Sequence, residues 1–271
     1  MTSSNQSHLK FLGHARLEAD ILVLSGLHIG AGKDTIEIGG IDNGVIKHPH
    51  TLDPYIPGSS LKGKLRFLLE WAFGQVRADG KPWGFDDKDG QTFDASDAIQ
   101  RIFGTPAKKE KWQGGPTRLI CRDAIIDKEW REAILRRGLP LTEDKTEVVI
   151  DRIAGKALDG VGTRQTERVP AGAKFKAEFG FRLYDTGDGG ARDRQCLAWL
   201  IQAFDMLEQD ALGGSGSRGY GRVRFESLKL IGFAGAEAST LDNVFRNHPF
   251  SKVHPQAEIL TAVTAATRSP A

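Results

Sequence analysis

Ser25–Arg66 reads SGLHIGAGKDTIEIGGIDNGVIKHPHTLDPYIPGSSLKGKLR, and this stretch decides the fold. It lies between two ordinary core elements. Before it, residues 11–23 alternate: Phe11, Ala15, Leu17, Ala19, Ile21 and Val23 share one side, and His14, Arg16, Glu18 and Asp20 the other. A period of two predicts a half-buried strand. After it, Leu61, Leu65, Leu68, Leu69 and Ala72 recur at helical spacing, with Ser59 or Ser60 placed to cap the first turn. Core packing does not ask for the glycines, the histidine, the carboxylates and the lysines between them. Their types suit a surface that holds a phosphate backbone and cuts it.

Downstream, residues 74–117 are rich in charge, Gly and Pro, and read as an insertion with a short helical patch at Ala95–Phe103. Its Asp86–Asp89 cluster reads as a solvated loop. Leu119–Ile126 predicts a strand and residues 128–137 a short helix. Val148–Ile153 and Lys174–Tyr184 predict two strands joined by a long excursion that carries Arg152, Lys156, Arg164 and Arg168, a projecting hairpin. A second helix spans 192–211 with the stripe Cys196, Leu197, Leu200, Ile201, Phe204 and Leu207. Gly213–Gly219 follows, then a strand around Tyr220–Leu230, then a weakly patterned tail expected to dock loosely or to meet a partner. Strand, helix, two strands, helix, strand is the β-α-β-β-α-β ferredoxin-like plan, an α+β fold that also underlies a common RNA-binding module. We expect one domain over residues 1–235, with the insertion at about 74–117, and a tail over 236–271.

The bulk numbers narrow the function without naming it. With 271 residues and a net charge of +2, any basic surface must be local. Two distant cysteines make neither a disulfide framework nor a zinc signature, which fits a reducing cytoplasm. The polar first residues carry no apolar signal core, and no apolar run is long enough to span a bilayer.

Each motif admits two readings. Gly214-Ser215-Gly216-Ser217-Arg218-Gly219 fits the dinucleotide fingerprint, but it follows a helix and precedes a strand, the wrong order. It is either a plain connection or a phosphate cradle of backbone N–H groups and a guanidinium. Gly58–Lys64 nearly completes a nucleotide-binding loop, yet Leu65 stands where magnesium needs a hydroxyl. What remains is a solvated basic helix start or an anion site. Asp42-Asn43-Gly44 is a strong turn sequence, and the functional alternative is a carboxylate on a rigid loop beside RNA. His28 is either a surface hydrogen-bonding residue or a phosphate and proton partner.

Taken together, Gly26–Gly30, Ile38–Asp42, Pro57–Lys64 and Gly213–Gly221 resemble the RAMP superfamily of CRISPR proteins. The likeness runs over about residues 10–232, and is greatest to the repeated backbone subunit of the type III-A effector complex. Gly44 departs from it, standing where the pattern leads one to expect Pro. The resemblance implies a modified RNA-recognition fold, copies stacked along a CRISPR guide RNA, and a thumb hairpin, here about Asp151–Pro170, that kinks the guide–target duplex. It implies that Asp42 cuts complementary target RNA with a divalent cation, Mg²⁺ or Mn²⁺, which Asp42 itself could ligate. Guide contacts would fall on His28, Ser60, Lys62, Lys64, Arg66 and the Gly213–Gly219 loop with Arg218, and Arg152, Arg164 and Arg168 of the excursion are expected to bind RNA as well. Partners would be guide RNA, target RNA, further copies of the chain and other effector subunits. The alternatives are a guide-binding subunit in which Asp42 only makes the turn, and a small-molecule enzyme, whose motifs fail on context.

Overall fold

A computed structural model describes residues 9–31, 43–84, 97–105, 112–158, 160, 163–233 and 238–268. The alternating N-terminal run forms β1 (Lys10–Val23), with Ala15, Leu17, Ala19, Ile21 and Val23 buried. Phe11 departs from the expected pattern. The register slips between Phe11 and Gly13, and the ring ends on the surface at 48% exposure. A two-residue strand, β2 (Tyr55–Ile56), leads into α1 (Gly58–Phe73), which buries Leu61, Leu65, Leu68 and Leu69.

Neither Ser59 nor Ser60 caps α1. Pro57 occupies the cap position without a side-chain bond, and the Gly58 N–H donates to Asp123 Oδ1 at 2.7 Å. The cap comes from a segment 65 residues away. The same Asp123 breaks the expected Leu119–Ile126 strand into β3 (Leu119–Cys121) and β4 (Ala124–Ile126). Between α1 and β3 lies α2 (Ala98–Phe103), capped by Asp97 through the Gln100 N–H. Its Ile99, Ile102 and Phe103 join the core, so the described middle of the insertion is structural. Asp193 fastens it: its carboxylate takes Arg101 Nη1 at 2.7 Å, Arg118 Nε at 2.9 Å and the Tyr184 N–H at 2.8 Å, all shielded from water.

After α3 (Lys128–Arg136) the chain forms a separate hairpin, β5 (Glu143–Glu147) with β6 (Arg164–Arg168), in the register Glu143↔Arg168 to Glu147↔Arg164. This corrects the expected pairing. Val148–Ile153 is not a strand, and the Lys174 run is not its partner. That run is β7 (Lys174–Asp185), which lies beside β1 along its whole length. The sequence between Glu147 and Arg164 holds a turn pinned by Asp151 Oδ1, which accepts from the Ile153 and Ala154 N–H groups.

Next come α4 (Ala191–Gln209), β8 (Val223–Ile231), β9 (Ser239–Thr240) and α5 (Ala257–Ala266). The main sheet runs β2-β4-β7-β1-β8-β9, with β3 also on β7. The ferredoxin-like core is therefore present, with β1 central between β7 and β8 and antiparallel to both. Both main helices belong to the apolar core. α1 packs on α4, and α4 lies over β7 and β8, where Phe204 meets Phe179 and Phe225 at 5.0 and 4.6 Å. Each such fully buried side chain contributes about 1.5–3 kcal/mol.

The described C-terminal residues are not loosely attached. α5 buries Ile259 and Val263, Arg194 donates to the Thr267 hydroxyl and carbonyl, and a Cβ on Gly232 would sit 1.7 Å from the Ala266 carbonyl oxygen. On the outward side of β1 and β7, Arg16–Glu18, Lys176–Asp20 and Lys174–Glu226 form ion pairs. That side offers charges where an RNA-recognition sheet offers stacking aromatics.

Candidate nucleic-acid interface

The glycine-rich loop after α4 is a locked structure. Leu212 N–H donates to the Gly221 carbonyl, Gly221 N–H to Gly26, and Gly214 N–H to His28. Such close backbone approach needs glycine. A Cβ on Gly221 (φ +72) would lie 2.0 Å from the Leu212 carbonyl oxygen, and one on Gly213 (φ +78) 2.3 Å from that of His28. Ser215 takes a left-handed conformation and Gly216–Arg218 wind into a single 3-10 turn. Among the described residues the N–H groups of Ser215, Gly216 and Ser217 have no acceptor. The loop is thus rigid, and its donors are unspent.

His28 sits against it. The His28 Nδ1–H donates to the Glu167 carbonyl at 2.7 Å, so Nε2 is the acceptor of the neutral ring. The site of a Cβ on Gly30 is 3.5 Å from that Nε2, at the entrance to residues 32–42. Asp42, the expected catalytic residue, lies outside the described residues, but its neighbours on the exit side are placed. Asn43 accepts from the Glu167 N–H at 3.0 Å, and Gly44 accepts from Ala31 at 3.2 Å.

Glu167 is the residue that sequence reading missed. Its side chain is 8% exposed, with Oε2 taking the Val45 N–H at 2.9 Å and Oε1 taking Lys47 Nζ and the Thr142 hydroxyl at 2.6 Å. Burial pushes this carboxyl up, but the bonds from Lys47, Thr142 and Val45 outweigh it and hold it below the usual range. β6 thereby clamps the described segment that follows Asp42, from Asn43 to Lys47.

The other side of the hairpin grips the glycine-rich loop. Tyr220 is buried and donates its hydroxyl to Glu147 Oε1 at 3.0 Å. Lys145 and Arg168 approach its ring at 4.4 and 5.1 Å. Glu147 Oε2 lies 3.5 Å from Arg218 Nη1. The Tyr220 hydroxyl first, then Lys145 and Arg218, hold the Glu147 carboxyl low.

The remaining expected contacts divide by how far their charges are already used. Arg168 is bound to Glu143 at 2.7 Å and lies where a Cβ on Gly26 would be 2.3 Å from its Cδ. Arg66 is paired with Glu70 at 2.7 Å and donates to the Trp83 and Gly104 carbonyls, so it holds the insertion to α1. Lys64 reaches Asp210, the last cap of α4, at 2.8 Å. Burial raises the Asp210 carboxyl, but Lys64 and the Ala211 N–H bring it below its ordinary value. Lys62 has no carboxylate partner among the described residues; burial is the main force pulling its ammonium pKa down. Ser60 is half-buried in the first turn of α1, whose N-terminal donor at Gly58 is already taken by Asp123. Arg152 and Arg164 are exposed on the hairpin. The structure so gathers His28, Lys64 and the Gly213–Gly219 loop, while Arg164 lies on the hairpin opposite Glu147, the residue that meets Arg218.

Among the described residues no group of three His, Cys, Asp or Glu side chains could hold a metal. Both Glu167 oxygens are spent, so the donor set described here does not by itself make a cation site. No helix of the described residues is long and apolar enough to cross a membrane.

Residues 20–224 match the RAMP superfamily. The chain is 39% identical over 228 residues to the CRISPR system Cms endoribonuclease Csm3 of Methanocaldococcus jannaschii, covering 83% of each. It is 37% identical to the protein of that name from Streptococcus thermophilus, over 87% of this chain and 96% of that one. For the one from Mycobacterium tuberculosis the figures are 35%, 89% and 98%.

Proposed function

The chain belongs to the RAMP superfamily of CRISPR proteins, and from that premise we propose that it is the repeated backbone subunit of a type III effector, an endoribonuclease that holds guide RNA and cuts complementary RNA. One observation carries the reading. A single hairpin, β5–β6, is fastened both to the glycine-rich loop, through Glu147 and Tyr220, and to the segment leaving the Asp42 loop, through Glu167. A guide phosphate on the first loop and a target phosphodiester at the second are thereby held in one frame. Base pairing reads the sequence while the protein reads backbone and shape, a division also found in Cas9-type effectors.

In this reading Asp42 acts where the hairpin splays a target nucleotide. The 2′-hydroxyl gives its proton to a base and its oxygen attacks the adjacent phosphorus in line; the bond to the 5′-oxygen breaks, that oxygen takes up a proton from solvent, and a 2′,3′-cyclic phosphate and a 5′-hydroxyl result. Orientation supplies much of the barrier reduction. Asp42 would hold a divalent cation, Mg²⁺ or Mn²⁺, which would stabilise the charge that develops on the phosphate; among the described residues no cluster of His, Cys, Asp or Glu adds ligands to it. The partners are guide RNA, complementary RNA, further copies of the chain and other effector subunits, and the setting is the cytoplasm.

The test is a cleavage assay on the assembled, guide-loaded complex with end-labelled complementary RNA and Mg²⁺. Wild type should give evenly spaced products, and Asp42→Ala should lose them while binding the same RNA. A wild-type complex that binds without cutting would leave a guide-holding scaffold.

A further inference from the structure

Two cations beside the glycine-rich loop are each held by a carboxylate in the same manner. Asp210 anchors one oxygen, Oδ1, on the Ala211 N–H at 2.7 Å and offers Oδ2 to Lys64 at 2.8 Å. Glu147 anchors Oε1 on the Tyr220 hydroxyl at 3.0 Å and on Lys145 at 3.4 Å, and offers Oε2 to Arg218 at 3.5 Å. The anchoring fixes each carboxylate beside Lys64 and the glycine-rich loop, the surface that would form the RNA groove in the reading above. Asp210 comes from the end of α4 and Glu147 from the hairpin. Both touch the segment from residue 211 to 221, through Ala211 and through Arg218 and Tyr220.

We propose that Asp210 and Glu147 are specificity-determining residues of the RNA groove, anionic placeholders that a phosphate backbone must displace from Lys64 and Arg218. The inference rests on the RNA-binding reading above. Its logic is competition at one cation between a fixed carboxylate and an incoming phosphate. An RNA that touches the groove at one point gives up an existing ion pair for a new one and gains little. An RNA that also engages the N–H groups of Ser215, Gly216 and Ser217 gains bonds that nothing among the described residues competes for. The acids thus lower affinity for partial, non-guide contacts more than for a fully seated strand. Side-chain exposures of 21% for Lys64 and 57% for Arg218 leave both cations within reach of such a strand.

Asp210→Asn and Glu147→Gln retain the anchoring oxygen and remove the charge. Full-length wild type, both single variants and the double variant are titrated with a fluorescent single-stranded RNA of unrelated sequence across a salt series, with thermal melts as the folding control. Each single variant should bind about 2- to 5-fold more tightly, the scale of a partly exposed ion pair. In the double variant log K should fall more steeply with log salt, by about 1.4, because two more cations release counterions from a single strand. Lys64→Met reads the same competition independently: it should cost little affinity alone and clearly more in the Asp210→Asn background. Variants that fold but bind no more tightly, with an unchanged salt slope, would overturn the inference and leave ordinary surface ion pairs. A wild-type chain that binds no RNA even at low salt would overturn the RNA-binding reading itself, and the inference with it.

Discussion

Replacing Glu167 by Ala removes the acceptor for three donors in one step. The Val45 N–H is buried and finds no other acceptor among the described residues, which costs about 1–3 kcal/mol. Lys47 is a third exposed and turns to water, so its part is small and screened. With the Thr142 hydroxyl and the lost aliphatic packing, the sum is about 2–4 kcal/mol. For a chain of this size that is a fall in Tm of roughly 5–10 °C. The pH dependence identifies the cause. The folded carboxyl is held below its unfolded value, so its stabilisation is full above the unfolded pKa of about 4.3 and is lost as pH falls through the lower folded value. Wild type and Glu167→Ala should therefore differ by a constant amount from about pH 6 to 8, and the gap should narrow, by its charge-dependent part, as pH falls below the unfolded value of about 4.3. Glu167→Gln, which keeps shape but not charge, should fall between them. Amide exchange at Val45 gives the local readout and should accelerate in the Ala variant. Melting curves that coincide at neutral pH, or a gap that persists unchanged into acid, would refute the argument.

Two further outcomes follow from the fold. Asp193→Ala strands Arg101 and Arg118 away from water without their shared carboxylate and should cost about 3–5 kcal/mol, read from guanidinium denaturation. Gly221→Ala forces a left-handed alanine against the Leu212 carbonyl; it should destabilise the chain by more than about 2 kcal/mol and weaken RNA binding, measured together by melting and anisotropy.

What sequence could show was whatever is periodic and local. The alternation of β1 and β7 and the stripes of α1 and α4 gave the sheet and its helices because each needs only its own residues to be seen. Phe11 was misplaced because a one-residue slip in register leaves no mark in the alternation. The hairpin was drawn from the wrong strands: β5, EDKTE, is polar on both sides and carries no period-two signal, whereas the apolar Val148–Ile150 imitates one. Glycine-rich loops and the lysines of α1 announced an anion-binding surface through their composition. Their partners did not, since Glu167, Glu147 and Asp210 look like any surface acid until the chain brings them 120, 71 and 146 residues across to Lys47, Arg218 and Lys64. The capping of α1 by Asp123 was hidden for the same reason.

The place of β1 at the centre of the sheet also sets a schedule on the ribosome. Its first partner strand ends at Asp185, and the second requires Val223, which pairs with Val23 across a span of 200 residues. At about 5–20 residues per second, roughly 10–40 s of translation separate the two ends of that contact. Until Asp185 is made β1 presents two unpaired edges, and from then until β8 is made it presents one; the charged side chains Arg16, Glu18 and Asp20 along it disfavour joining another nascent chain in that interval. The glycine-rich loop cannot lock before then either, because the Gly221 N–H that donates to the Gly26 carbonyl is made 195 residues after its acceptor.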